Sequence, residues 1–227
     1  MTTYFTEKTF RFLRGLARNN ERAWFQAHRD DYERHLREPM LQLIADLAPD
    51  LAEISPHFRA EPRKVGGSLF RIQRDTRFAN DKQPYKTWAA ARLFHARARD
   101  VHAPTFYFHI DTNGGYAGGG LWRPEPATLR RVREFMVDNP DAWTRATRSA
   151  AFRRDLELGG DSLVRPPRGF PADHPLIDDL RRKDFVASRG FGPDAVLGPT
   201  LKAEILRGVR GTAPLVDYLC AALDLEF

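Results

Sequence analysis

The spacing of apolar residues changes twice along this 227-residue chain, and this change restricts its fold more than any other feature. In the first third, apolar residues recur every three or four positions, as on one face of a helix. Between about residues 68 and 122 they alternate, as in half-buried strands, and after Pro124 the helical spacing returns. Strands grouped between two helical regions are typical of α+β proteins with an antiparallel sheet. We therefore predict an α+β fold in a single domain, residues 1–227.

The first third predicts three helices. Thr6 is placed to cap the first helix, and Asn20 is placed to cap a second that begins at Glu21. Pro39 either kinks this second helix or opens a third. These helices are expected on one side of the strands.

The middle region predicts a central antiparallel sheet flanked by the N-terminal and C-terminal helices. Its strands are expected over residues 68–74, 88–95, 105–111 and 116–122. The third of these, TFYFHID, is rich in aromatic and β-branched residues, which favour strands. Asn113-Gly114-Gly115 is a turn signal and predicts a hairpin between the last two strands.

The C-terminal region returns to helices. Pro124 opens one helix, and a further helix is expected near 141–156. Asp173 is placed to cap a short helix. Thr212 is placed to cap the last helix, with Pro214 in its first turn.

Cysteine usage and local motifs exclude several classes of protein. The one cysteine, Cys220, permits neither an intrachain disulfide nor a CxxC metal site. The start lacks the apolar core of a secretory signal, and no stretch has the length of a membrane span, so we expect a soluble cytoplasmic protein with no membrane partner. P-loop, dinucleotide-binding, nucleophile-elbow and zincin motifs are absent. The sequence does not indicate an oligomeric state.

Positive charge is concentrated in one stretch of the chain. The whole protein carries a formal net charge of +6, from 36 Lys and Arg against 30 Asp and Glu. Residues 59–99 hold eleven of these cations and three of the anions, a net of +8, so the remainder has a net charge of −2. This distribution predicts an anionic partner of limited size rather than an extended polyanion.

The densest part of this stretch, residues 71–86, is the candidate site. Like charges this close repel each other unless anions lie among them, and arginine forks suit phosphate or carboxylate. We predict an anion pocket with the ligand-binding residues Arg71, Arg74, Arg77, Lys82, Tyr85 and Lys86. Asp75 and Asp81 would orient the arginines or act as general acid or base, and they are the candidate catalytic residues. The alternative is an internal ion-pair network that pins a loop to the sheet.

Other candidate residues carry weaker signals. His28 lies on the flank of an apolar helix stripe, where a hydrogen-bonded core histidine is the more common outcome. His109 and Asp111 share one face of a predicted strand and could bind a metal or relay a proton. Two ligands without a third do not make a metal site, so no metal or cofactor is predicted.

A family resemblance rests on the run Arg71-Ile72-x-Arg74-Asp75-x-Arg77-Phe78-x-x-Asp81-Lys82-x-Pro84-Tyr85-Lys86. This run resembles the signature of the family named domain of unknown function 2461. Supporting motifs extend the resemblance over nearly the whole chain: Asn19-Asn20-x-Arg22-x-Trp24-Phe25-x-x-His28, Gly118 to Gly120 before Pro124, His174-Pro175 and Lys183-Asp184-Phe185. The chain has Ala79 where the family commonly has serine and Ala23 where it commonly has an acid. The resemblance implies no particular reaction, and it adds Arg22, Trp24 and His28 as secondary candidates.

Three functions remain open from the sequence. The first is binding of a phosphorylated small molecule or nucleotide, with or without catalysis. The second is nucleic-acid binding, in which Phe78, Tyr85 or Trp88 would stack on bases. The third is a structural or partner-binding domain with an internal ion-pair network. The net charge of −2 outside the basic stretch favours an anionic small molecule over nucleic acid.

Overall fold

The computed structural model of the chain describes residues 2–77, 80–97 and 103–227. It has an α+β fold in which a six-stranded antiparallel sheet is packed against N-terminal helices and a long C-terminal helix. The predicted fold class is therefore confirmed. Among the described residues, no helix combines the length and apolar character needed to cross a bilayer.

The N-terminal region is helical, as predicted. Its elements are α1 (Glu7–Arg18), α2 (Arg22–Ala27), α3 (Arg29–Tyr32), a π-helical turn (Glu33–Arg37) and α4 (Glu38–Ile54). The Thr6 side chain caps α1 by accepting a hydrogen bond from the backbone N–H of Lys8, and Pro39 lies in the first turn of α4. The prediction for Asn20 was wrong, because the N-cap of α2 is Glu21 and the Asn20 side chain bonds elsewhere.

The strands pair in the order β1-β2-β3-β4-β6-β5, with every pair antiparallel. They are β1 (Phe58–Arg59), β2 (Ala89–His95), β3 (Thr105–Asp111), β4 (Gly114–Leu121), β5 (Glu157–Gly159) and β6 (Phe185–Phe191). The predicted strands 88–95, 105–111 and 116–122 correspond to β2, β3 and β4. The other three strands were not predicted.

The predicted strand 68–74 is not a continuous strand. It makes one bridge to the edge of β2, between Leu69 and Ala91, and one bridge to a later segment, between Gln73 and Tyr85. The chain changes partner between these two points, so no ladder forms. Burial does alternate from residue 70, since Phe70, Ile72 and Arg74 are partly or fully buried while Arg71 and Gln73 are exposed. The segment nevertheless leaves β2 after its first bridge.

The C-terminal region contains six helices among the described residues. They are α5 (Pro126–Asp138), α6 (Pro140–Arg148), α7 (Ala150–Asp155), α8 (Ile177–Leu180), α9 (Pro193–Leu197) and α10 (Leu201–Ala222). The helix expected near 141–156 is two helices, because Ser149 adopts an extended conformation and caps α7. Asp173 does not cap α8, whose N-cap is Leu176.

Helix α10 begins eleven residues before the predicted cap at Thr212. The Thr212 hydroxyl donates to the carbonyl of Gly208 at 2.9 Å, inside the helix, instead of accepting at an N-terminus. Pro214 also lies inside the helix. The helix continues through these residues because it packs closely on β4.

The two faces of the sheet differ in burial. Along β3, Phe106, Phe108 and Ile110 are fully buried in the core that includes α4 and α10. The alternate residues Tyr107 and His109 are only partly buried and point to the opposite face. We call the face that carries Tyr107 and His109 the outer face.

Candidate functional site

We call residues 71–86 the basic segment. Its described parts, residues 71–77 and 80–86, lie beside the sheet edge and are paired with each other near their outer ends. The Lys86 N–H donates to the Ile72 carbonyl and the Arg74 N–H donates to the Pro84 carbonyl, each at 2.8 Å. These bonds align residues 72–74 with residues 84–86. Phe78 and Ala79 lie outside the described residues, and so does the predicted stacking role of Phe78.

Both aspartates of the basic segment are ion-paired with arginines. Arg77 Nη2 lies 2.7 Å from Asp75 Oδ2, and Arg74 Nη1 lies 2.5 Å from Asp81 Oδ2. The hydrogen bonds from Arg77 lower the pKa of Asp75 to about 2, and the hydrogen bond from Arg74 lowers the pKa of Asp81. Carboxylates with lowered pKa values are weaker bases, so this geometry favours their orienting role over a general-base role.

The two lysines of the basic segment bind backbone carbonyls. Lys82 Nζ donates to the Thr76 carbonyl at 3.1 Å. Lys86 Nζ donates to the carbonyls of Arg71 and Gln73, the latter at 3.0 Å. Burial, with smaller contributions from the charges of Arg71 and Arg74, lowers the pKa of Lys86. These lysines therefore help to hold the shape of the segment.

A cavity of about 650 Å³ lies beside the basic segment, between the α2–π-helical region and residues 64–73. Among the described residues, its lining contains five cationic side chains and one carboxylate, that of Glu33. The cations are Arg29, Arg37, Lys64, Arg71 and Arg92. We call it the basic cavity.

The charge in the basic cavity is unbalanced. Glu33 is ion-paired with Arg37, and each of these side chains is only about one-fifth exposed, at 22% and 20%. In the part of the chain that the structure describes, the other four cations have no carboxylate within 4.0 Å. Arg92 Nη1 is buried and has no hydrogen-bond partner among these residues. Because an uncompensated buried donor costs free energy, an anion in the cavity would offset an existing cost.

Aromatic rings form part of the cavity lining. Tyr85 is buried, and its ring stacks on Phe25 with centroids 4.2 Å apart and planes 17° apart. Tyr32 packs against Phe25 from α3, with centroids 5.4 Å apart. The cavity therefore offers apolar surface next to its cations.

The structure divides the six predicted ligand-binding residues into two groups. Arg71 and Tyr85 line the basic cavity, whereas Arg74, Arg77, Lys82 and Lys86 do not. Binding by any of the six remains a prediction.

Four of the five cavity cations were not singled out by the sequence. Lys64 and Arg92 belong to the +8 stretch, but they lie outside residues 71–86, where its cations are most closely spaced. Arg29 and Arg37 lie with Glu33 at positions i, i+4 and i+8 of a helical region, which places them on one face. This spacing indicates a shared helix face, but it does not show that the face lies opposite residues 64–73.

The secondary candidates Arg22 and Trp24 on α2, and His28 directly after it, lie outside the cavity lining. The His28 ring stacks on Trp24 with centroids 3.9 Å apart, and His28 Nδ1 lies 2.9 Å from the Trp24 carbonyl oxygen. Trp24 in turn fills the space above Gly15, where a Cβ would lie 2.8 Å from its ring. Arg22 is exposed. This arrangement agrees with a packing role for Trp24 and His28.

A second group of polar side chains lies on the outer face. His109 Nε2 is 3.5 Å from Asp111 Oδ2, and His109 Nδ1 is 3.4 Å from the Tyr107 hydroxyl. Burial lowers the pKa of His109, although Asp111 partly opposes this effect. A neutral imidazole between a carboxylate and a phenol is able to pass a proton between them. Among the described residues, no group of three or more His, Cys, Asp or Glu is placed to hold a metal ion.

A family model described as a conserved hypothetical protein, DUF2461, matches residues 8–218. The chain belongs to this family. The resemblance predicted from the motif is therefore confirmed over nearly the full length. A comparison with curated proteins finds no match.

Two further DUF2461 motifs have structural roles in this chain. The buried Asp184 carboxylate accepts hydrogen bonds from the backbone N–H groups of Arg123 at 2.7 Å and Asp161 at 3.0 Å. His174 Nδ1 accepts a hydrogen bond from the N–H of Leu176, at the start of α8. These contacts stabilise loops that are far from the basic segment in the sequence.

Proposed function

We propose that this DUF2461 protein binds a phosphorylated small molecule in the basic cavity. The observation that carries the proposal is the charge imbalance of the lining, where four of five cations have no carboxylate within 4.0 Å among the described residues. Arginine and lysine together supply the planar and point-charge donors that phosphate groups accept. The volume of about 650 Å³ lies in the usual range for small-molecule sites.

The ion pairs of the basic segment stabilise the segment that lies beside this cavity. Arg74 and Arg77 are engaged by Asp81 and Asp75, so they hold the loop. Arg71 lacks such a carboxylate among the described residues and lines the cavity. We therefore assign the ion-pair network to Arg74 and Arg77, and the anion pocket to Arg71. Because the candidate bases Asp75 and Asp81 are paired, binding rather than turnover is the activity proposed.

Nucleic-acid binding through the predicted aromatic residues receives less support. Tyr85 is buried and stacked on Phe25, so it cannot also stack on a base. One face of Trp88 lies under Lys86 Nζ, 5.5 Å from the ring centroid, and the ring packs on His109. These contacts leave less of the Trp88 ring surface available for stacking.

A thermal-shift titration with inorganic pyrophosphate tests the proposal at constant ionic strength. At a hundredfold excess over Kd, ligand binding stabilises the native state by about 2.7 kcal/mol, so Tm should rise. The variant Arg71→Gln should weaken binding about tenfold or more, because a hydrogen bond to a charged group contributes about 1.5–3 kcal/mol.

Arg77→Gln is the matched control, since Arg77 lies in the same segment but outside the cavity lining. It should bind pyrophosphate as the unmodified protein does. No Tm response in the unmodified protein, or equal losses in the two variants, would contradict binding in the cavity.

A further inference from the structure

Glu33 supplies the one carboxylate of the basic cavity among the described residues. Its Oε1 accepts a hydrogen bond from Arg37 Nη1. The Glu33 side chain is 22% exposed, and its second oxygen, Oε2, makes no hydrogen bond to any described residue. Oε2 is also open to solvent, since it is not among the buried polar atoms that lack a partner. The cavity therefore contains an accessible hydrogen-bond acceptor that carries negative charge.

The ion pair with Arg37 uses only part of the Glu33 carboxylate. The Arg37 guanidinium also lies 5.8 Å from the centroid of the Tyr32 ring, so it is held from two sides. The two charged residues are the ends of the π-helical turn, in which the Glu38 N–H donates to the Glu33 carbonyl. Such i→i+5 turns are rare and are frequent at functional sites. Both ends of this turn line the cavity, and Oε2 stays available to a further donor.

Two neutral amide side chains line the cavity together with Glu33. Gln26 and Gln73 are exposed, and their side-chain amides make no hydrogen bond among the described residues. An amide group offers both donors and an acceptor, which suits a hydroxyl group. Besides its cations, the lining therefore has three polar side chains with unused hydrogen-bonding capacity.

Three of the four aromatic rings in the described lining are largely covered. Phe25, Tyr32 and Tyr85 are each less than one-tenth exposed and pack on one another. The fourth ring, Phe70, is partly buried and contacts Tyr107. A nucleobase is bound largely by stacking on an open ring face, whereas hydroxyl groups need donors and acceptors. The lining is thus better suited to hydroxyl groups than to a base.

We propose that the ligand of the basic cavity is a polyol phosphate, the class that includes sugar phosphates, and that Glu33 binds one of its hydroxyl groups. The inference rests on the proposed function of the cavity. A hydroxyl group donates to Glu33 Oε2, and a hydrogen bond to a charged acceptor is stronger than one between neutral groups. An ammonium group would also suit a carboxylate, but the five cations of the lining repel it. Glu33 therefore determines specificity, because it opposes the phosphate and favours the hydroxyl group.

Isothermal titration calorimetry with matched phosphate monoesters tests this inference. The polyol probes are myo-inositol 1-phosphate, glucose 1-phosphate, glucose 6-phosphate and ribose 5-phosphate. Cyclohexyl phosphate is the reference, because it has the same phosphate group on a six-membered ring without hydroxyl groups. At least one polyol phosphate should bind about ten- to a hundredfold more tightly than cyclohexyl phosphate, the range expected for one hydrogen bond to a charged group.

Glu33→Leu should move the two kinds of probe in opposite directions. Cyclohexyl phosphate should bind about twofold or more tightly, because a negative charge is removed from the cavity. The polyol phosphate should bind more weakly, because its hydroxyl group loses the carboxylate. Glu33→Gln keeps the shape of the side chain and a neutral acceptor, so the advantage of the polyol phosphate should fall only in part. If Glu33 only holds Arg37 in place, both probes would weaken alike, which would overturn the inference.

Asp30→Asn is the matched control. Asp30 precedes Glu33 by three residues, is exposed and does not line the cavity, so this variant should bind every probe as the unmodified protein does. If pyrophosphate binds and no polyol phosphate binds more tightly than cyclohexyl phosphate, the inference is overturned and the anion cavity stands. Tighter binding of GMP than of every polyol phosphate would also overturn it. If no phosphate probe binds, the proposed function fails and the inference fails with it.

Discussion

One side-chain amide fastens the basic segment to the N-terminal helices. Asn20 Oδ1 accepts a hydrogen bond from the Tyr85 N–H, and Asn20 Nδ2 donates to the Tyr85 carbonyl, each at 2.9 Å. The backbone of Tyr85 is thus satisfied by a residue 65 positions earlier in the chain. This contact keeps the Tyr85 ring against Phe25 in the cavity lining.

Replacing Asn20 by alanine should destabilise the protein by about 1–3 kcal/mol, because part-buried donor and acceptor groups of Tyr85 lose their partner. Denaturant unfolding measures this difference. Asn19→Ala is the control, since the exposed Asn19 side chain makes one bond, to the Gly15 carbonyl at a helix end. Equal stability of the two variants would show that the Asn20 contact contributes nothing specific.

His109 should make stability depend on pH. Burial lowers its pKa below the ordinary value of 6.5, and Asp111 opposes part of that effect. Between the folded and unfolded pKa values the unfolded chain binds more protons, so stability is retained above pH 6.5 and falls as the pH drops below it. Urea unfolding at pH 7.5 and pH 5.5 should show a larger loss for the unmodified protein than for His109→Gln.

Asp111→Asn provides the check on this assignment. Without the carboxylate the pKa of His109 should fall further, which widens the pH range over which stability is lost. If His109→Gln keeps the full pH dependence of the unmodified protein, another group is responsible for it.

At the scale of elements, helix α10 depends on close contact with β4. A Cβ at Gly208 would lie 2.4 Å from the Ala117 carbonyl oxygen, whereas a Cβ at Gly211 would meet the Leu156 side chain at 3.1 Å. The first neighbour is backbone in the middle of the sheet, and the second is the end of a flexible side chain. Gly208 therefore sets the distance between the helix and the sheet.

The substitution Gly208→Ala should destabilise the protein by about 1–3 kcal/mol through overpacking. Gly211→Ala places the same side chain in the same helix, where alanine is favoured over glycine by about 0.5–1 kcal/mol, so it should be near neutral or stabilising. Thermal unfolding of the two variants compares them directly. Similar Tm values would contradict the close approach of α10 to β4.

Long-range packing explains which elements could be predicted from the sequence. β3 has a strong alternating pattern and a glycine turn after it, so its local signals agree with its tertiary position. Gly208, Thr212 and Pro214 are local signals against a continuous helix, yet α10 runs through them because packing on β4 outweighs propensity. The segment 68–74 has strand-like alternation, but its change of partner is a tertiary event.

At the scale of the whole molecule, the fold separates the basic residues by their partners. Four cations of the basic segment, Arg74, Arg77, Lys82 and Lys86, lie outside the cavity lining and bind an aspartate or a carbonyl. Arg71, which has no carboxylate within 4.0 Å among the described residues, lines the cavity. The charge density of the sequence located the segment and two lining residues, Arg71 and Tyr85. It could not locate Arg29 or Arg37, because their approach to residues 64–73 depends on how the helices pack against the sheet edge.

The position of a bound anion tests the central claim most directly. Crystals of the protein soaked with tungstate, an electron-dense analogue of phosphate, would show it by anomalous diffraction. The anion should occupy the basic cavity, within hydrogen-bonding distance of Arg71 and beside Arg92. An anion found only at the ion pairs of Asp75 and Asp81, or no ordered anion in the cavity, would contradict the claim.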